Sequence, residues 1–105
     1  VKSLSVKELQ QWLDEGRNIQ LIDVREEDEW EICNLPQSMH IPMRMVGQIM
    51  LQLDKDVPLV LLCHHGMRSR MVANQLYAAG FAPVFNVEGG IHAWANEIDV
   101  EMNMY

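Results

Sequence analysis

Residues Pro58-Leu59-Val60-Leu61-Leu62 form a short apolar run, with the length of a strand buried on both faces. The run passes without a linker into Cys63-His64-His65-Gly66-Met67-Arg68-Ser69. From Arg68 to Ala79 the apolar residues Met71, Val72, Leu76 and Ala79 then recur at helical spacing. A buried strand that turns into a helix within a few residues is a unit of an α/β sheet. It leaves Cys63 at the mouth of the turn, where consecutive backbone N–H groups and the helix N-terminus point at whatever the sulfur carries. A negative sulfur is favoured in such a setting, which suits a nucleophile. The plainer reading is a small buried hydrophobe at a strand end. The following residues argue for chemistry. Arg68 and Arg70 are two of only eight Lys and Arg in a chain of net charge −7. Cations are disfavoured at a helix N-terminus, so a pair placed there points to an anionic ligand.

With 105 residues the chain reads as one domain, with a core over about 5–98. No apolar run reaches the length of a membrane span, and Val1-Lys2-Ser3 begins no signal-peptide core. A removed N-terminal segment stays open, because the chain starts at Val1. Two cysteines are too few for a disulfide framework, which favours a reducing compartment and a cytoplasmic location. The acidic balance argues against nucleic acid, and nothing points to a membrane partner.

Ser5 and Glu8 make a capping box ahead of Leu9, Trp12 and Leu13, and Gly16 ends that helix. Ile19 to Val24 reads as a strand, and Glu26 to Glu31 as a short helix with carboxylates in its first turn. Leu35-Pro36 breaks the pattern, and Ser38 to Ile41 is a brief strand. Met43 to Leu53 reads as one helix with Met43, Val46, Ile49, Met50 and Leu53 on a single face. Val84 to Val87 is a last strand and Ile91 to Ile98 a closing helix, with Asp99 to Tyr105 expected to fray. Strands alternating with helices predict a mostly parallel sheet covered on both faces, with ligands at the carboxyl ends of its strands. Cys63 lies at such an end. So do Asp23 and Arg25, the latter expected to clamp Glu29 across one helical turn.

Several segments together carry a family resemblance. They are Leu21-Ile22-Asp23-Val24-Arg25, Glu29-Trp30, Pro36 to Pro42, the Cys63 loop with Arg68-Ser69, and Val87-Glu88-Gly89-Gly90-Ile91-His92-Ala93-Trp94. In this order and spacing the chain resembles the single-domain rhodaneses, from about Ser5 to Trp94. Two positions depart from the family pattern: Cys33 and Gln37 stand where glycines are usual around Pro36. The resemblance implies a rhodanese fold and a thiosulfate sulfurtransferase that moves sulfane sulfur through a persulfide on Cys63. It places the backbone cradle for that sulfur on His64, His65, Gly66, Met67, Arg68 and Ser69, with Arg68 nearest an anionic donor. Small-molecule donors and acceptors follow, with a protein persulfide donor or acceptor as a further option. No cofactor is implied. A metal set drawn from Cys63, His64, His65, His40 and Cys33 lacks the usual zinc spacing. Cys33 is expected near the opposite end of the sheet from Cys63, too far to resolve it.

Two other functions remain open on the residues alone. One is a binding module that keeps the fold without turnover. The other is a cysteine phosphatase or arsenate reductase, whose loops carry five residues between Cys and Arg where Cys63 and Arg68 enclose four. The acidic stretch Glu26 to Glu31 reads as a solvated helix face, with a docking role for a basic partner as the alternative.

Overall fold

The computed structural model describes all 105 residues. Five strands, β1 (Lys2–Leu4), β2 (Gln20–Asp23), β3 (Met39–His40), β4 (Leu59–Leu62) and β5 (Val84–Val87), make one sheet in the order β1-β5-β4-β2-β3. Every pairing is parallel. The central position of β4 explains its apolar run: all four of its residues are buried, because both neighbours and both faces exclude water.

Side chains alternate across the sheet and define two cores. Ile22, Leu59, Leu61, Cys63 and Val84 face one side, where they meet Val46, Val72, Ala73, Leu76 and Phe81. Leu21, Val60, Leu62 and Val87 face the other, with Leu9, Cys33, Leu35, Ile91 and Trp94. The first core is covered by α3 (Val46–Ile49) and α4 (Met67–Ala78), the second by α1 (Val6–Asp14) and α5 (Gly90–Glu97). The predicted parallel sheet covered by helices on both faces is therefore present.

The capping box forms as read, with Glu8 N–H donating to Ser5 Oγ and Ser5 N–H to Glu8 Oε1. Gly16, at φ +67°, ends α1 by letting its own N–H reach Leu13 and that of Arg17 reach Trp12. Three readings change. The stretch read as one helix over 43–53 is a 3₁₀ turn at Met43–Met45, the single turn α3, and a second 3₁₀ turn at Met50–Gln52. None of the three has a side-chain cap, and Gly47 lies in the middle one. The apolar face is nevertheless correct: Met43, Ile49, Met50 and Leu53 pack around buried Val46. In α4 the buried stripe is Ser69, Val72, Ala73 and Leu76, while Met71 and Ala79 are exposed. The helix is turned so that Ser69 faces inward. Strand β1 is absent from the sequence reading, since three residues with one buried position show no alternation to read.

The short helix α2 (Glu27–Ile32) follows β2 at the carboxyl rim. Being only six residues long, it carries Cys33 no further than the space beneath Arg25, 3.6 Å from its guanidinium. Cys33 is thus at the carboxyl end, not the opposite end, but it belongs to the core across the sheet from Cys63. Both cysteines are free.

Candidate active site

The site is built at the carboxyl end of β4. Cys63 is 1% exposed, and its Sγ accepts the Gly66 N–H at 3.1 Å, with Ser69 Oγ at 3.2 Å. Gly66 takes φ +103°, a conformation that turns the chain sharply from the strand end into α4. The first-turn N–H groups of Met67, Arg68 and Ser69 have no acceptor within the protein. An anion above the turn would therefore meet free donors and the positive end of a twelve-residue helix.

The turn is held from below by β5 and α5. Asn86, fully buried on β5, donates from Nδ2 to Gly66 O at 3.0 Å, and its Oδ1 lies 2.5 Å from Ser69 Oγ. One amide thus ties the glycine of the turn to the hydroxyl beside the sulfur. The N-terminus of α5 presents Ile91 N–H to Cys63 O and His92 N–H to His64 O. That approach requires Gly90, where a Cβ would lie 2.4 Å from the carbonyl oxygens of both Cys63 and His64.

Both cations of the turn meet carboxylates. Arg70 pairs with Glu88 at the end of β5. Arg68 forms a two-pronged pair with Glu29 of α2, at 2.7 Å on each oxygen. The hydrogen bonds from Arg68 hold the Glu29 carboxyl down at about 2, against the opposing effect of burial. The Arg68 guanidinium is raised in turn, chiefly by Glu29. Glu29 is accordingly not part of a free acidic face. Glu26 is also occupied, pairing with Arg44 at 2.6 Å.

Arg25 is 0% exposed, and its carboxylate partner is Asp23, not Glu29. Along α2 and its C-terminal end it meets no carboxylate, donating to Glu29 O at 3.3 Å, Cys33 O at 2.6 Å and Cys33 Sγ at 3.6 Å. The expected clamp between this strand end and α2 exists, then, but by a different set of bonds. His40 Nε2 meets Arg25 O at 2.7 Å, and the His40 ring stacks on Trp30.

His64 and His65 stack at 4.1 Å with 28° between their planes, and His92 lies 4.8 Å from the His65 ring. His64 Nε2 is buried with no hydrogen-bond partner. Burial, followed by the nearby His65, pushes His64 below the usual imidazole range, against the pull of Glu29. The ligand atoms of His64, His65 and His92 lie within 4.8 Å of one another. The face-to-face stacking runs the first two rings side by side, whereas a metal sits in the plane of every imidazole it binds. The wider set considered from sequence does not assemble, since His40 and Cys33 are engaged around Arg25.

Segment 99–105, expected to fray, lies against the fold. Met102 packs on the core of α1 and α5, and the Tyr105 ring stacks on His64 at 4.1 Å. Of the predicted residues, Cys63, Gly66 and Ser69 are brought into direct contact. His64, His65 and Met67 line the turn, with Met67 79% exposed. Arg68 closes the turn on Glu29. Asn86, Gly90, His92 and Tyr105 were not read as parts of the site. Asn86 carried a signal, a polar residue inside the apolar strand Val84-Phe85-Asn86-Val87, whereas Tyr105 carried none.

A family profile described as the rhodanese-like domain matches residues 5–97. A putative sulfurtransferase of Bacillus subtilis, YtwF, is 40% identical over 97 residues, covering 92% of this chain and 93% of its own length. The probable adenylyltransferase/sulfurtransferase MoeZ of Mycobacterium tuberculosis is 36% identical over 105 residues, and the chain spans only 27% of that protein. Among solved structures, a rhodanese-like domain protein from Staphylococcus aureus superimposes with a TM-score of 0.85 at 34% identity, covering 93% of this chain and 95% of its own. No helix is long and apolar enough to cross a membrane. The match across nearly the whole chain, with a cysteine turn at the carboxyl end of the central strand, makes this protein a member of the rhodanese-like domain family.

Proposed function

We propose that the protein is a sulfurtransferase that carries sulfane sulfur as a persulfide on Cys63. The observation that carries this reading is the Cys63 sulfur seated under Gly66 N–H and Ser69 Oγ, beside the unpartnered amides of Met67, Arg68 and Ser69. In the first half-reaction the Cys63 thiolate attacks the outer sulfur of thiosulfate or of a persulfide donor. The donor's S–S bond breaks, and its electron pair leaves with sulfite or the donor thiolate. In the second, a thiol or cyanide attacks the outer sulfur of the persulfide and returns Cys63 as a thiolate. Donors aimed at the two negatively charged sulfur states make the same turn serve both steps.

Arg68 binds an anionic donor only by sharing its guanidinium with Glu29, so the backbone amides carry the greater part of donor binding. A protein donor or acceptor is supported by the nature of the relatives. MoeZ joins a sulfurtransferase to an adenylyltransferase, and YrkF of Bacillus subtilis, 29% identical over 94% of this chain, is a putative sulfur carrier protein. The four-residue spacing between Cys63 and Arg68, with the arginine turned onto Glu29, disfavours a phosphoryl group that must be wrapped on three oxygens.

Intact mass spectrometry before and after thiosulfate tests the reading. One added sulfur atom is expected on the protein, removed by cyanide and absent from Cys63→Ala. A folded, reduced protein that takes no sulfur from thiosulfate or from a small persulfide would overturn it in favour of a binding module.

A further inference from the structure

Tyr105 has no part in the sulfur chemistry above, yet it reaches both ends of the Cys63 turn, directly at His64 and through Glu29 at Arg68. Its ring lies on His64, 4.1 Å away with 30° between the planes. Its hydroxyl donates to Glu29 Oε1 at 2.9 Å and accepts from Arg25 Nη1 at 3.1 Å. Glu29 Oε1 is the same oxygen that receives Arg68 Nη2. The turn that runs from Cys63 to Arg68 is thus spanned from outside: the ring rests on its second residue, and the hydroxyl holds the carboxylate that grips its last.

The approach of Tyr105 is anchored. Asp99 N–H bonds Trp94 O, Met102 N–H bonds Asp99 O, and the Met102 side chain packs on the core beneath α1 and α5. Tyr105 stays 41% exposed, and burial of the remainder, helped by the Glu29 bond and opposed by the Arg25 bond, leaves the phenol raised to about 12, so it stays a neutral donor. His64 needs such a neighbour. Its Nε2 is buried with no partner, a placement a free imidazole abandons for water. Two flat neighbours keep it there, His65 on one contact and Tyr105 on the other, each at 4.1 Å.

We propose that Tyr105 is a positioning residue for sulfur transfer, bracing the Cys63 turn through His64 at one end and through Glu29 and Arg68 at the other. The proposal rests on the sulfurtransferase reading for its consequence, though its geometry can be tested alone. Tyr105→Phe keeps the stack and removes the hydroxyl, whereas Tyr105→Ala removes both. The amide donors of the turn act only when held in place, and a small displacement of such a cradle is felt strongly in rate.

The experiment follows sulfur loading from thiosulfate by quenched intact mass in the wild type and both variants, alongside an NMR titration of the His64 ring. Loading is expected to slow about threefold in Tyr105→Phe and about tenfold in Tyr105→Ala. The His64 ring faces His65, His92, Glu29 and Arg25 as well as Tyr105. In Tyr105→Ala it is uncovered, and its titration moves up toward the ordinary value of 6.5, while in Tyr105→Phe it stays. A Tyr105 that does not cover His64 in solution would leave that titration unmoved, and one that covers it without bracing the turn would leave loading at the wild-type rate. Wild-type loading rates in Tyr105→Ala, or an unchanged His64 titration, would overturn the proposal. If the wild type itself takes no sulfur, the sulfurtransferase reading fails, and the His64 titration in the two variants still decides the bracing.

Discussion

Ser69 illustrates how much one side chain carries here. Its Oγ lies between Cys63 Sγ at 3.2 Å and Asn86 Oδ1 at 2.5 Å, in a space closed to solvent. A hydroxyl has one proton, so it serves one of these neighbours at a time. A negative sulfur draws that proton, and a neutral one leaves it to the amide. Removing the hydroxyl leaves Asn86 Oδ1 buried without its donor, which costs about 1–3 kcal/mol. Ser69→Ala is therefore expected to remain folded with a lower denaturant midpoint. It is also expected to load sulfur about tenfold more slowly, since a charge-stabilising donor is gone. Urea unfolding and timed mass spectrometry check the two effects separately. Unchanged loading with lowered stability would confine Ser69 to packing. The serine was legible from the sequence as part of the turn, but its pairing with Asn86 was not. That pairing joins residues 17 positions apart and depends on β5 lying beside β4.

Among the elements, α5 is the one whose entry most constrains the site. Gly89 and Gly90 both take positive φ, and at Gly90 the backbone of the Cys63 turn leaves no room for a side chain. The close approach lets Ile91 and His92 N–H groups bind the carbonyls of Cys63 and His64. Gly90→Ala combines backbone strain with a clash against backbone that cannot move aside, so a loss of about 2–4 kcal/mol is expected. Where the variant folds, sulfur loading falls with it, because relief of the clash displaces the turn. A thermal or chemical melt reads the first effect. A variant as stable as the wild type would show that the helix can enter by another path. The glycine pair was visible in the sequence as a turn, and α5 after it as a helix. What the turn approaches was not visible, because α5 and β4 are joined only through space.

Across the whole molecule, charge organises the carboxyl rim. Asp23 with Arg25, Glu29 with Arg68, and Glu88 with Arg70 stand around the site, and Tyr105 links the first two pairs. The net charge of −7 therefore does not translate into a uniformly negative rim. An acid dependence of stability follows. The Glu29 carboxyl titrates at about 2 in the folded chain, below its ordinary value of 4.5. Its contribution is present above the ordinary value and is lost as pH falls from there through about 2, amounting to roughly 2 kcal/mol after allowance for solvent screening. His64 acts earlier in the same direction. Its folded value lies below 6.5, so protonation favours the unfolded chain once pH drops below that. Urea melts between about pH 7 and pH 3 should show stability declining in two stages. Glu29→Gln is expected to flatten the lower stage and to deepen the upper one, because the carboxylate that favours a charged His64 is gone.

Much of the fold was readable because it rests on local and periodic features. The Ser5–Glu8 box, the Gly16 stop, the apolar run of β4 and the cysteine turn each need only neighbours in sequence to take shape. Burial on two faces selects that run for the centre of a parallel sheet, and alternation with helices sets the architecture. The choice of partners belongs to the tertiary structure. Arg68 meets a carboxylate 39 positions away, and Tyr105 meets Arg25 across 80. Helical spacing pointed Arg25 at Glu29, but the buried guanidinium found a closer carboxylate in Asp23 and left Glu29 to Arg68. Period and propensity determine which faces are buried, whereas strand order and layer stacking determine which polar groups meet when they are, and those distances exist only in the folded chain.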